Sequence, residues 1–280
     1  MTVDDRSATL TLEDLQAADP RLTVEYVGHY DAYVFFLDAP RDQVEAHLPP
    51  IGITLAPQNL TPPDRHPLVF MAGRQSDVRP RAVRKDAVAG LKQYGLTMNY
   101  LELIVAVPFV RRVGNPATYT ELVCSTRLVL DHYGPTMLGW LCGFPKIVGQ
   151  ISWSASNYTA TTLQGDPLFE SKLQDYGPID QPSQFANFAL VRPIFEQLHI
   201  GSLLQVAVVC TQLDFQMSCV AKINAIQGKA QIDSRLCSIA AGNHTIKGID
   251  QQQLGAFRLT TTWLLAPYQH CDCDQSALVG

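Results

Sequence analysis

The sequence predicts an α+β protein, mainly β: a curved antiparallel sheet or barrel with a few short helices. Three observations carry this expectation. Runs rich in Val, Ile, Tyr, Phe and Thr recur along the chain, at Thr23 to Asp38, Asn99 to Val110, Thr118 to Leu130 and Val148 to Leu163. Segments with helical spacing are few and short. No internal repeat, and no linker rich in Gly, Ser or Pro, divides the 280 residues. The chain is therefore read as an N-terminal arm (1–22), a single domain (23–268) and a C-terminal tail (269–280).

In chain order, the arm carries a short helical pattern at Leu12 to Ala18, with Thr11 as N-cap and Asp14 three residues on. Thr23 to Asp38 alternates and reads as strand. Pro40 to Leu48 reads as a short helix: Pro40 suits a first turn, Val44, His47 and Leu48 share a face, and Pro49-Pro50 stops it. Leu68 to Ala72 is a short strand. Residues 73–97 are polar and irregular, and read as a flap or insertion. Two strong strands follow, 99–110 and 118–130, joined by the turn-rich Arg111 to Pro116. A short helix is expected at Pro135 to Leu141, then strand from Val148 to Leu163 and a turn at Gly165-Asp166-Pro167. Leu203 to Ile223 is strand-like and long enough for two strands. Ala230 to Leu236 and Phe257 to Leu265 close the domain, with a short helix at Asp250 to Gly255.

Composition excludes several classes. Apolar residues make up 46% and charged residues 17%, enough for a sizeable core. The net charge of -5 is spread without long runs, and no Lys/Arg cluster is interleaved with aromatics, so nucleic acid is not an expected partner. The basic stretch Arg79 to Lys85 is short, contains Pro80 and reads as a solvated loop. No run reaches the ~20 apolar residues of a membrane span. Met1 to Ala18 lacks a basic and apolar leader pattern, so a cytoplasmic location is expected. Cysteines number seven, an odd count, and most lie in apolar strand-like runs, which fits buried thiols in a reducing compartment. His270, Cys271 and Cys273 supply half of a metal site at most, and the seven histidines are scattered. There is no Gly-rich phosphate loop, no G-x-S-x-G elbow and no paired-His metal spacing.

The most informative stretch is Gly139 to Gly149, where Lys146 follows Pro145 among apolar residues. A lysine there either buries its stem and keeps its ammonium in water, or loses its charge in a dry pocket and becomes a nucleophile for carbonyl groups. Glu102 and Glu121 pose a matching question. Each sits in an apolar strand-like run, on a solvated face or inside a cavity. In a cavity the carboxyl pKa rises and suits proton transfer.

Taken together, these residues resemble the acetoacetate decarboxylase family. Tyr33 to Pro50 resembles its opening strand and short helix. Tyr100-Leu101-Glu102 resembles its Tyr-x-Glu strand, Asp131 to Lys146 the segment that ends in a Pro-Lys pair, and Lys222 to Pro267 the closing strands. The resemblance spans most of the chain from about Tyr26. It implies a barrel-like fold, an imine-forming Lys146, Glu102 as acid/base, and Tyr100, Phe144 and Trp140 around the substrate. Arg74, or Arg127, would meet a substrate carboxylate. Two departures stand out. Ile147 occupies the place where the family often has a second lysine, and Leu68 to Ala72 lacks the family's other glutamate. The implied activity is a lyase acting on a keto-acid or ketone, decarboxylation of a β-keto acid first. The alternatives are aldolase or dehydratase chemistry through the same imine, or a non-catalytic small-ligand-binding relative. No cofactor or metal is expected, and homo-oligomerisation is.

Overall fold

The sheet is built around one long strand, β1, which carries ladders on both sides. In the computed structural model it runs Val24–Pro40 and hydrogen-bonds β3 (Arg65–Ala82) on one side and β14 (Ala256–Leu265) on the other. The structure describes residues 24–82, 98–113, 122–136, 144–177, 179–184, 188–203, 207–217, 220–248, 255–265 and 269–270. The remaining strands are β2 (Ile53–Leu55), β4 (Met98–Arg112), β5 (Leu122–Leu130), β6 (Lys146–Val148), β7 (Gln150–Ser154), β8 (Asn157–Thr161), β9 (Pro167–Asp175), β10 (Leu198–Leu203), β11 (Ala207–Asp214), β12 (Lys222–Ile232), β13 (Gly242–Ile246) and β15 (Gln269–His270). Helix α1 is Arg41–His47, α2 covers 133–136, and α3 is Phe188–Glu196.

The fold is the curved, mainly antiparallel sheet that the sequence predicts. The order β11-β10-β5-β4-β3-β1-β14 closes on itself where Leu213 and Asp214 of β11 pair with Leu265 and Leu264 of β14. The sheet continues from β14 through β12, β9, β8 and β7, and this extension covers the outside of the ring. Period-two alternation then sorts the ring residues. Tyr33, Phe35, Phe70, Leu103 and Val105 face out and pack on Tyr158, Phe169 and Ile226 of the extension. Tyr30, Val34, Met71, Ile104, Leu128 and Phe257 face in, against Phe188, Val191, Ile194 and Phe195 of α3. Such a sheet is buried on both faces, which explains why β4 reads as a nearly continuous apolar run rather than an alternating one.

Several expectations need correction. Residues 73–82 continue β3 rather than opening a flap, because β1 offers seventeen residues of partner and the ladder runs on through a bulge between Gln75 and Val78. The rest of that segment, 83–97, lies outside the described residues. Two pairings are parallel, β5 with β10 and β5 with β6, since each pair is joined by a crossover rather than a hairpin. The run 148–163 splits into β7 and β8 at Ala155, whose φ of 47° marks the turn. The stretch 203–223 contains β11 and a turn before β12 starts at Lys222, so Ala230 falls late in β12 and Asp233 to Leu236 form a turn. Strands β9 and β13 and helix α3 were not anticipated. In α3, Phe188, Val191 and Ile194 recur at i, i+3 on the buried face, and Pro193 lies on the exposed face.

Helix α1 forms as expected, with Pro40 before it and Val44 buried. The helix at 250–255 and the arm lie outside the described residues. Of the tail, Gln269 and His270 pair with β11. Among the described cysteines, Cys124 and Cys237 are buried free thiols, and burial pushes Cys124 up to about 12. Among the described residues, no helix is long and apolar enough to cross a membrane.

Candidate active site

Register places the site. Tyr30, Gln75 and Tyr100 pair across β1, β3 and β4 in one row. Two residues along, Ala32, Gly73, Glu102 and Leu130 form the next row. Two further along come Val34, Met71, Ile104, Leu128 and, from β6, Lys146. Paired residues share a face, so all three rows line the inside of the ring. Glu102 and Lys146 therefore project into the same interior from strands on either side of β5.

Local sequence explains why Lys146 can reach this face. Phe144 accepts a hydrogen bond from the Lys146 backbone N–H at 2.7 Å, a tight turn centred on Pro145, and Pro145 accepts from the Leu128 N–H at 3.1 Å. The turn aligns β6 with β5, sends Ile147 to the outer core and leaves Lys146 with Leu128. Gly149 ends the motif because no side chain fits there: a Cβ would lie 2.5 Å from Val129 Cγ1 and 2.6 Å from the Thr161 carbonyl oxygen. The Lys146 Nζ donates to the Pro135 carbonyl oxygen of α2 at 3.3 Å.

Glu102 is 3% exposed. Burial raises its carboxyl pKa; the charge of Lys146, a hydrogen bond from Gln75 and the Tyr30 hydroxyl pull it back down. The Gln75 Nε2 donates to Glu102 Oε1 at 2.6 Å. Tyr30 is fully buried, and its phenol is held well above its ordinary value by burial and then by the Glu102 carboxyl. The Tyr30 hydroxyl is close enough to act on Glu102 but makes no hydrogen bond of regular geometry among the described residues. From the outer face, the Tyr158 hydroxyl donates to the Glu102 carbonyl oxygen at 2.7 Å. Gly73 opposite Glu102 permits the close approach of β1, since a Cβ there would lie 2.4 Å from Ala32 Cβ. The end of β5 is pinned beside the site by Asp131, which accepts from the Leu101 N–H at 2.7 Å.

The structure thus brings together Lys146, Glu102, Tyr100 and Phe144, the last two in the interior apolar cluster. It does not bring Arg74 to them. Arg74 alternates with Gln75 onto the outer face, is exposed, and lies over the Trp153 ring at 5.6 Å. Arg127 pairs with Val105 and lies near His47, whose pKa is lowered by burial and by the Arg127 charge. Trp140 and Glu121 lie outside the described residues. Tyr30, Gln75 and Tyr158 were missed. Gln75 fell in a segment read as irregular, and the other two carry no local mark beyond strand alternation. Among the described residues no group of three or more His, Cys, Asp and Glu could hold a metal ion.

No family model and no curated protein matches the sequence. Solved structures do. One is an acetoacetate decarboxylase-like enzyme from Sphingomonas wittichii RW1, 13% identical, covering 95% of this chain and 98% of that one with a TM-score of 0.53. Another is the enduracididine biosynthesis enzyme MppR complexed with pyruvate, 14% identical, covering 89% of this chain and 90% of that one with a TM-score of 0.49. At these identities, the likeness to the first is one of fold: this chain has an acetoacetate decarboxylase-like fold.

Proposed function

We propose that this chain is a lyase that forms an imine between Lys146 and a keto-acid or ketone, with decarboxylation of a β-keto acid as its first reading. The observation that carries it is the buried Glu102 facing the same dry interior as Lys146 and interacting with it electrostatically. The fold likeness to an acetoacetate decarboxylase-like enzyme supports the reading.

In this mechanism the neutral Lys146 amine adds to the substrate carbonyl. Glu102 gives its proton to the departing hydroxyl, the C–O bond breaks, water leaves and the nitrogen lone pair closes the C=N bond. The positively charged iminium then accepts the electron pair of the breaking C–C bond as carbon dioxide leaves. The enamine takes a proton from solvent at carbon, and water, giving a proton to the Glu102 carboxylate, hydrolyses the imine. Ile104, Leu128 and Phe144 pack the ring interior, and the burial of Glu102 there favours the protonated acid.

A second reading, aldol or dehydration chemistry through the same imine, is favoured by Gln75 and Tyr30. These uncharged hydrogen-bonding groups next to Glu102 suit a substrate hydroxyl that leaves or loses its proton. The test is borohydride trapping with a panel of β-keto acids, α-keto acids and ketones, followed by peptide mapping. An adduct on Lys146, absent in Lys146→Ala, is expected, and its mass reports whether carbon dioxide left. A well-folded protein that yields no adduct with any carbonyl would leave a ligand-binding role.

A further inference from the structure

Resting on the imine reading, we propose that Gln75 is a positioning residue that holds Glu102 as a one-proton acid and aims that proton at the Lys146 adduct. Gln75 is 5% exposed, and its Nε2 donates to Glu102 Oε1 at 2.6 Å inside the ring. An oxygen already accepting that N–H does not carry the acidic proton toward it, so the proton sits on Oε2. The strand that pairs with the Tyr-x-Glu unit thus presents an amide where a second carboxyl would share and split the titration.

The consequence is an order of events. Because Gln75 cannot ionise, the pair holds a single exchangeable proton, and a protonated Glu102 donates before it accepts. Glu102 protonates the carbinolamine hydroxyl first. The carboxylate left behind is stabilised by the Gln75 N–H and by the new iminium charge on Lys146, and takes a proton back from the water that hydrolyses the imine. Among the described residues, the other titratable groups near Glu102 are Lys146 from β6, Tyr30 from β1 and Tyr100 on its own strand, with Tyr158 from β8 on the outer side. Burial holds the Tyr30 and Tyr158 phenols well above their ordinary value.

The test follows Glu102 directly by carbon NMR of protein labelled at glutamate carboxyls, with the resonance assigned by its loss in Glu102→Gln. In parallel, the pH profile of cyanoborohydride trapping is measured with acetone as probe. Gln75→Leu removes a donor to the carboxylate and should move the single Glu102 step upward by about one pH unit, with the trapping profile following. Gln75→Glu should replace the single step by two separated ones. Glu102 midpoints and trapping profiles unchanged in both variants would overturn the proposal, even if rates or stability fall. If neither variant folds, the wild-type Gln75 side-chain amide decides. Its proton resonances should shift with the Glu102 midpoint, and a shift with another midpoint, or none, overturns the proposal. A Glu102 that titrates with Gln75 in a protein that traps no ketone would refute the imine reading while leaving the coupling in place.

Discussion

Neighbouring residues on one set of strands live in two different electrostatic worlds. On the outer face of β1, β3 and β14, Arg258 donates to both carboxylate oxygens of Asp31 at 2.7 Å and to Asp175 at 3.0 Å, while Arg74 and Arg258 each lie 5.6 Å from the Trp153 ring centroid. Arg258, Asp31 and Asp175 are about one-third exposed, and the Asp31 hydrogen bonds hold the guanidinium of Arg258 above its already high ordinary value. On the inner face, one residue away in each strand, Tyr30, Gln75 and Glu102 are buried with a single described cation, Lys146, acting on the carboxyl. The Arg258 guanidinium is held charged by the carboxylates it bonds. The inner carboxyl is pushed toward its neutral form because burial outweighs the partners it has. Ion pairs build the wall; desolvation tunes the interior.

The sharpest way to break this contrast is Glu102→Gln, which keeps size and hydrogen bonding but removes the acid. Turnover of any substrate found by trapping should fall by roughly 10²- to 10⁴-fold, as for loss of a general acid/base. Circular dichroism should stay unchanged, and a variant with full turnover would remove Glu102 from the chemistry.

Buried histidines test the same desolvation on each face. His199 pairs with Val123 of the inner cluster and His66 with Ala39 of the outer one, and burial pushes both from 6.5 down to about 4. Between those values the unfolded chain binds protons that the folded chain refuses, so stability falls as pH drops from 6.5 towards 4. Each histidine contributes up to about 1.4 kcal/mol per pH unit in that window. Denaturant melts across this range measure the slope, and His66→Gln or His199→Gln should flatten it.

Tyr158→Phe probes the link between the faces. It removes the outer hydrogen bond to the Glu102 carbonyl and should cost about 1–2 kcal/mol of stability. It should also blunt the trapping rate by loosening the Glu102 backbone. The smallest effect is expected for Arg258→Ala. After discounting for solvent screening, loss of this partly exposed cluster should cost about 1 kcal/mol while ketone trapping on Lys146 is unaffected. A large loss of trapping there would mean that the two faces are coupled more tightly than the alternation implies.

How much could be read in advance follows from range of interaction. The β class, the breaks at Pro49-Pro50, the short α1 and the placement of Lys146 after a proline are local, written in period-two patterning and in the fixed φ of proline. They were legible. Helix α3 was not, because its buried face of Phe188, Val191, Ile194 and Phe195 is defined by the ring it packs into. The continuation of β3 to Ala82 was not, because polar residues such as Arg74, Gln75 and Asp77 become strand only when β1 supplies the ladder.

The sequence by itself singled out two candidates: a lysine in an apolar motif and a glutamate in an apolar strand. Only the tertiary structure decided that both face one interior, that Arg74 turns away from it, and that Gln75 and Tyr30 join Glu102. The reason is register. Which side of a closed sheet a residue meets depends on pairing between strands far apart in the chain and on bulges such as those at Val27/His29 and Gln75/Val78, and a shift of one residue in either would exchange the two faces.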